Sequence, residues 1–137
     1  MAQLNRSVAA LRIIGDALAP DEVTALLGCQ PSASHVKGQI IRGAKTGRER
    51  CCRTGSWHLR AEDCEPGNLD MQVAQILGRL SGDLEIWRSL ESKYRIDLFC
   101  GLFMEGTNEG LQITPETLHA LGERGISLGL DMYGSNS

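Results

Sequence analysis

The chain has 137 residues, 42% of them hydrophobic and 23% charged, with a net charge of −3. Those values describe an ordinary soluble globular protein, one domain over 1–137 that buries roughly two-thirds of its unfolded surface. No segment approaches the ~20 apolar residues of a membrane span, and Arg12 and Asp16 arrive too early for a secretory signal. Five cysteines, an odd number without an export signal, make reduced thiols in a cytoplasm the expectation.

In chain order, Ala9, Leu11 and Ile13 alternate with Ala10, Arg12 and Ile14, which predicts a first strand with one buried face. "APDEVTALLG" reads as a short helix, with Pro20 at its first position, Asp21 and Glu22 in the positive first turn, and Gly28 as its stop. "SHVKGQIIRG" is the second expected strand, and Gly43 to Gly55 is expected to be a poorly ordered hairpin loop. "SWHLRAE", Ser56 to Glu62, alternates strictly, so Trp57 and Leu59 are expected inside and His58 outside.

Asn68 caps an amphipathic helix through Leu69, Val73, Ile76, Leu77 and Leu80, and Leu84, Trp87, Leu90 and Tyr94 form a second helical piece after Gly82. "RIDLFCGLFME" is the clearest strand, with Ile96, Leu98, Cys100, Leu102 and Met104 on one face and Phe99 and Phe103 on the other. "GTNEG" turns into a short returning strand "LQI", Thr114 and Pro115 open a last helix, and "ISLGLDMY" closes with Ile126, Leu128, Leu130 and Met132 inward. This order predicts an α+β fold, a mostly antiparallel sheet with helices packed on one side. "LAPDEVTAL" and "ITPETLHAL" echo one another. Two βαβ halves related by duplication would account for the echo, and so would helix-start chemistry alone.

Three chemistries suggest themselves. "CCRTGSWHLRAEDC" holds three cysteines and a histidine, but zinc ligands must gather within ~4 Å, and His58 and Cys64 lie about 20 Å apart along an extended chain. Neither CxxC nor HxxxH occurs, so no metal site is expected. Cys51 and Cys52 sit among Arg48, Arg50 and Arg53, whose charges would favour a thiolate, yet His35, His58 and His119 fall on three different elements. "GQIIRGAKT" misses the phosphate-loop pattern because Ala44 separates Gly43 from Lys45.

Charge is distributed unevenly. Between positions 37 and 53, Lys37, Arg42, Lys45, Arg48, Arg50 and Arg53 face only Glu49, a local balance of +5, so the remainder carries −8. An aromatic content of 4% leaves few stacking residues and argues against nucleic acid.

"LRIIGDALAPDEVTALLGCQPSASHVKG", "TGSWHL", "LDMQVAQILGRL" and "NEGLQITPETLHALGERGISLGLDMYG", in that order, resemble a bacterial family, domain of unknown function four-two-seven-nine. The resemblance covers nearly the whole chain and departs at Ala19, where Asp would cap the first helix. It implies a compact α+β domain in a bacterial cytoplasm and brings no catalytic residues with it.

Function is therefore read from the residues. The first reading is a non-catalytic protein-interaction module of the toxin-neutralising or adaptor kind, without cofactor, binding an acidic partner surface through Lys45, Arg48, Arg50 and Arg53. The second is an enzyme with a dispersed site and Cys51 or Cys52 as nucleophile. The third is a small anionic-ligand binding protein. Homo-oligomerisation is left open.

Overall fold

The computed structural model describes residues 2–135. After a two-residue β1 (Ala2–Gln3), β2 runs from Arg6 to Gly15 and turns into α1 (Pro20–Leu27). Pro20 opens α1, Asp21 and Glu22 fill its first turn, and Gly28 closes it at φ 78°, donating its N–H to Thr24 O. Three short strands follow, β3 (Ala33–His35), β4 (Ile40–Arg42) and β5 (Glu49–Cys51), then β6 (Gly55–Arg60). Asn68 caps α2 (Leu69–Leu77) by accepting from Met71 N, and Asp83 caps α3 (Leu84–Lys93) by accepting from Glu85 N. The chain ends with β7 (Arg95–Phe103), β8 (Glu109–Gly110), α4 (Pro115–Glu123) capped by Thr114, and β9 (Ser127–Tyr133).

Five strands form one mixed sheet in the order β3-β6-β2-β7-β9. β2 is central and antiparallel to both neighbours, while α4 returns the chain so that β9 runs parallel to β7. Ala9, Leu11, Ile13, Trp57, Leu59 and Leu98 share the buried face of this sheet. They pack with Val23 and Leu27 of α1, Val73 and Ile76 of α2, Trp87 and Leu90 of α3, and Leu121 of α4. The expected α+β architecture, with helices gathered on one side of the sheet, is what this core requires. Trp57 is wholly buried and its indole N–H donates to Thr24 Oγ1 at 3.0 Å, which ties β6 to α1. Buried Gln72 holds α2 on β2: its amide donates to Ser7 O and Glu62 O, and its carbonyl accepts from Ser7 Oγ at 2.7 Å.

Several expectations are corrected. The second strand is two strands, because a turn through Gly38, at φ 85°, separates β3 from β4. Positions 43–55 contain paired structure: β5 bonds to β4, and Gly43 N donates to Arg48 O across the tip. The third strand stops at Arg60, and "LQI" is not a strand; instead β8 pairs in parallel with β1. His58 is half-buried, since the strands on either side of β6 shield both its flanks. Ile126 is buried and Leu128 partly so, but Leu130 and Met132, expected inward, are 41% and 69% exposed.

Ala19 occupies the cap position of α1 in extended backbone, φ −108°, without a side-chain hydrogen bond, and is exposed. Ala19→Asp supplies the missing acceptor, so the variant is expected to gain about 1 kcal/mol in unfolding free energy. Urea unfolding of both proteins checks this, with a higher midpoint and unchanged slope expected for the variant.

Candidate functional site

The four cations singled out in the sequence lie on or beside the β4–β5 hairpin, which stands out from the β3–β6 connection. Ile40 pairs with Cys51, Ile41 with Arg50, and Arg42 with Glu49, and Arg42 also reaches Glu49 through an ion pair of 3.1 Å. The base is fastened by Cys52, 5% exposed, whose N–H donates to Gln39 O and whose carbonyl accepts from Gly38 N. Lys45, Arg48, Arg50 and Arg53 are exposed, and among the described residues their side chains make no ion pair. A cleft of 480 Å³ opens between the hairpin and the end of β3, lined by His35, Arg50, Cys51, Cys52, Arg53 and Thr54. Arg50 and Arg53 therefore come together, whereas Lys45 and Arg48 sit at the hairpin tip outside the cleft.

The same cleft brings His35 to the two cysteines, a meeting that strand assignment alone left open. Among the described residues, neither Cys51 nor Cys52 shares a hydrogen bond with His35. His35 Nδ1 and Ser56 Oγ, on residues paired across the β3–β6 ladder, are buried without a partner among the described residues. Cys51 is exposed and Cys52 buried. Deep in the core, the Cys100 thiol is pushed up to about 12, first by burial and then by the charge of Asp97. Among the described residues, no group of three or more His, Cys, Asp or Glu side chains is placed to hold a metal ion.

The sheet face away from the helices carries a second polar cluster. Arg12 makes two hydrogen bonds of 2.8 Å to the Asp97 carboxylate and lies 4.6 Å over the Phe99 ring. The bonds to Asp97 raise the Arg12 pKa and keep it charged. Farther along the same strands, Phe103 stacks on Tyr133 at 4.7 Å, with Arg6 4.0 Å over the Phe103 ring. Gly101 leaves room for this: a Cβ there would stand 3.1 Å from the Phe103 ring. Each arginine is engaged within the chain, Arg6 also by Asp63 at 3.1 Å. Sequence parity put Arg12 opposite the buried face, but its partners, and Arg6 altogether, become visible only once β2 is paired with β7.

Another cleft, of 780 Å³, lies where Glu62, Asp63 and Glu65 approach Gln3 and Gln112 beside the cis Glu65–Pro66 bond. Its rim is acidic, and the hairpin cleft is basic. The basic cleft, with two arginines, two thiols and an imidazole, has the chemistry to receive an anion.

His58 is set against Arg12 across the β2–β6 ladder. Burial first, and the Arg12 charge second, lower its pKa below the ordinary 6.5. The unfolded chain therefore binds this proton more tightly than the folded one. The His58 contribution is complete above the unfolded value and is lost as pH falls through it toward the lower folded value. Denaturant unfolding at neutral and mildly acidic pH is expected to show wild type losing stability on acidification, and His58→Gln losing less. Equal losses in the two proteins would contradict the assignment.

A comparison with protein families matches residues 3–135 to one described as Domain of unknown function (DUF4279). No curated protein and no solved structure matches the chain. With 3–135 spanned by the family match, the chain belongs to the DUF4279 family.

Proposed function

We propose that the chain is a non-catalytic protein-interaction module, of the toxin-neutralising or adaptor kind, that binds an acidic partner surface through Lys45, Arg48, Arg50 and Arg53 in a reducing cytoplasm. The observation that carries this reading is that Lys45, Arg48, Arg50 and Arg53, on or beside a projecting hairpin, have no ion-pair partner among the described residues. The contrast with Arg6 and Arg12 sharpens it, because those two are already held by Asp63 and Asp97. Cations left in water on a raised arm steer an oppositely charged surface toward it, and they give up little to meet it. The aromatic rings of the open face support a protein partner over nucleic acid, since arginines cover Phe99 and Phe103 where bases would stack.

The test uses the immobilised protein and a partner captured from a lysate of its source organism. Replacing Arg48, Arg50 and Arg53 with alanine is expected to slow association about tenfold or more at low salt, with the melting temperature unchanged. Cys51→Ser and Cys52→Ser are expected to leave association intact. Hydrolytic or transferase activity that disappears with either serine variant would defeat the binding reading.

The cleft itself favours a second reading, a small-anion site. Arg50 and Arg53 line it, and His35 beside them has a ring nitrogen without a partner among the described residues. On this reading inorganic phosphate raises the melting temperature of wild type and not of the Arg50→Ala/Arg53→Ala variant. Equal shifts in the two proteins would remove the cleft from consideration.

A further inference from the structure

We propose that two copies of this chain associate through β9, whose free edge pairs antiparallel with itself about a two-fold axis at Leu130. The inference is independent of the hairpin, which leaves the sheet near its other edge, β3.

β9 closes the order of the sheet and has β7 as its ladder partner. Tyr133 O accepts from Met104 N at 2.9 Å, so its main-chain groups point at β7. Main-chain direction alternates along a strand, so Ser127, Gly129 and Asp131 share that orientation, and Leu128, Leu130 and Met132 turn their N–H and C=O groups outward. Among the described residues, the three with free main-chain groups on β9 are the three apolar ones on the helix side. Leu130 and Met132 are exposed there, beside an apolar groove of 240 Å³ that they line with Leu4, Leu102, Met104 and Ile113. Leu118, on the helix above β9, is also exposed.

Solitary edges are ordinarily blunted by shortness, lysine, proline or a bulge. β3 follows that rule, with three residues next to Lys37. β9 does not. It has seven residues, SLGLDMY, without a lysine, arginine or proline.

The sequence of β9 selects the occupant and its register. With the axis at Leu130, all seven residues pair: Leu130 with Leu130 of the second copy, Leu128 with Met132, Gly129 with Asp131, and Ser127 with Tyr133. Apolar side chains then meet apolar ones on the helix face, and each Asp131 lies opposite a glycine. The outward groups of 128, 130 and 132 form about six main-chain hydrogen bonds. Moving the axis to Asp131 sets two carboxylates directly opposite, a destabilising pair. Moving it to Gly129 leaves Met132 and Tyr133 without partners. The two five-stranded sheets become one continuous sheet. The contact is strand-sized, at the low end of specific interfaces, so the dimer is expected to dissociate with a constant on the order of micromolar.

Sedimentation of the full chain from about 5 to 500 µM is expected to show a monomer–dimer equilibrium. Leu130→Asp puts two carboxylates on the axis and should leave monomer throughout, with wild-type circular dichroism, because Leu130 is already 41% exposed. A crosslinking arm reads the register without depending on that variant. In a Cys51→Ser background, Leu130→Cys should give a disulfide-linked dimer on diamide oxidation, since hydrogen-bonded partners lie ~5.5 Å apart at Cα. Asp131→Cys should not, because the two copies of that residue are diagonal neighbours at roughly 7–8 Å. Three results would overturn the proposal. The wild type could be monomeric at the highest concentration, which would leave this edge for a strand of some other protein. The dimer could be indifferent to Leu130→Asp. Crosslinking could occur through position 131 and not through position 130.

Discussion

The register of β2 is the constraint on which the rest of the structure depends. It pairs with β7 from Arg6 to Ile14 and with β6 from Ala10 to Gly15, so both neighbouring ladders are measured from it. A slip of one residue against either neighbour would turn Ala9, Leu11 and Ile13 to solvent and carry Arg12 under the helices, away from Asp97. A charge buried without its partner costs several kcal/mol. Ser7 then fixes the helix layer to the same strand. Its hydroxyl donates to Gln72 and accepts from Asn68 N, and its carbonyl accepts from Gln72, so the cap and first turn of α2 are positioned by one residue of β2. Gln72 is fully buried, and with these partners and Glu62 O its amide is satisfied.

Arginine has two different roles in this chain, and composition does not separate them. Arg6 and Arg12 lie on the open face of the sheet, where a carboxylate and an aromatic ring on the adjoining elements hold each guanidinium. They cover the Phe103 and Phe99 rings. Arg48, Arg50 and Arg53 stand on a hairpin with no third strand beside it and no helix over it, so nothing in the described chain neutralises them. The difference is one of supply: the hairpin's single acid, Glu49, is taken by Arg42, and no other carboxylate of the described residues pairs with these three arginines.

Much of the fold was legible because its signals are local. The alternation of Ala9, Leu11 and Ile13, the proline starts at Pro20 and Pro115, the caps Asn68 and Thr114, and the stop at Gly28 each report on a few neighbouring residues, and all held. What escaped depends on residues distant in sequence. Leu130 and Met132 alternate as a buried strand should, but whether anything packs over them is decided by elements outside the strand, and both are exposed. "LQI" has strand-like residues but joins no ladder, while Glu109 and Gly110 pair with β1. The cleft shows the same limit. The basic run named Arg50 and Arg53, whereas His35 joins them only because β3 lies against β6.

The strand order also governs how the chain folds. Arg12 and Asp97 are 85 positions apart, and the ladder that joins their strands is the central one. At ribosomal speeds of roughly 5–20 residues per second, β2 waits on the order of ten seconds for β7. During that time α1, β6 and α2 can gather on one edge of β2, while the other edge remains a bare template with Ile13 and Leu11 beside it. The native core is completed late, by long-range pairing, which makes for slow folding. A nascent chain held at this stage is a natural client for a chaperone that shields unpaired strands.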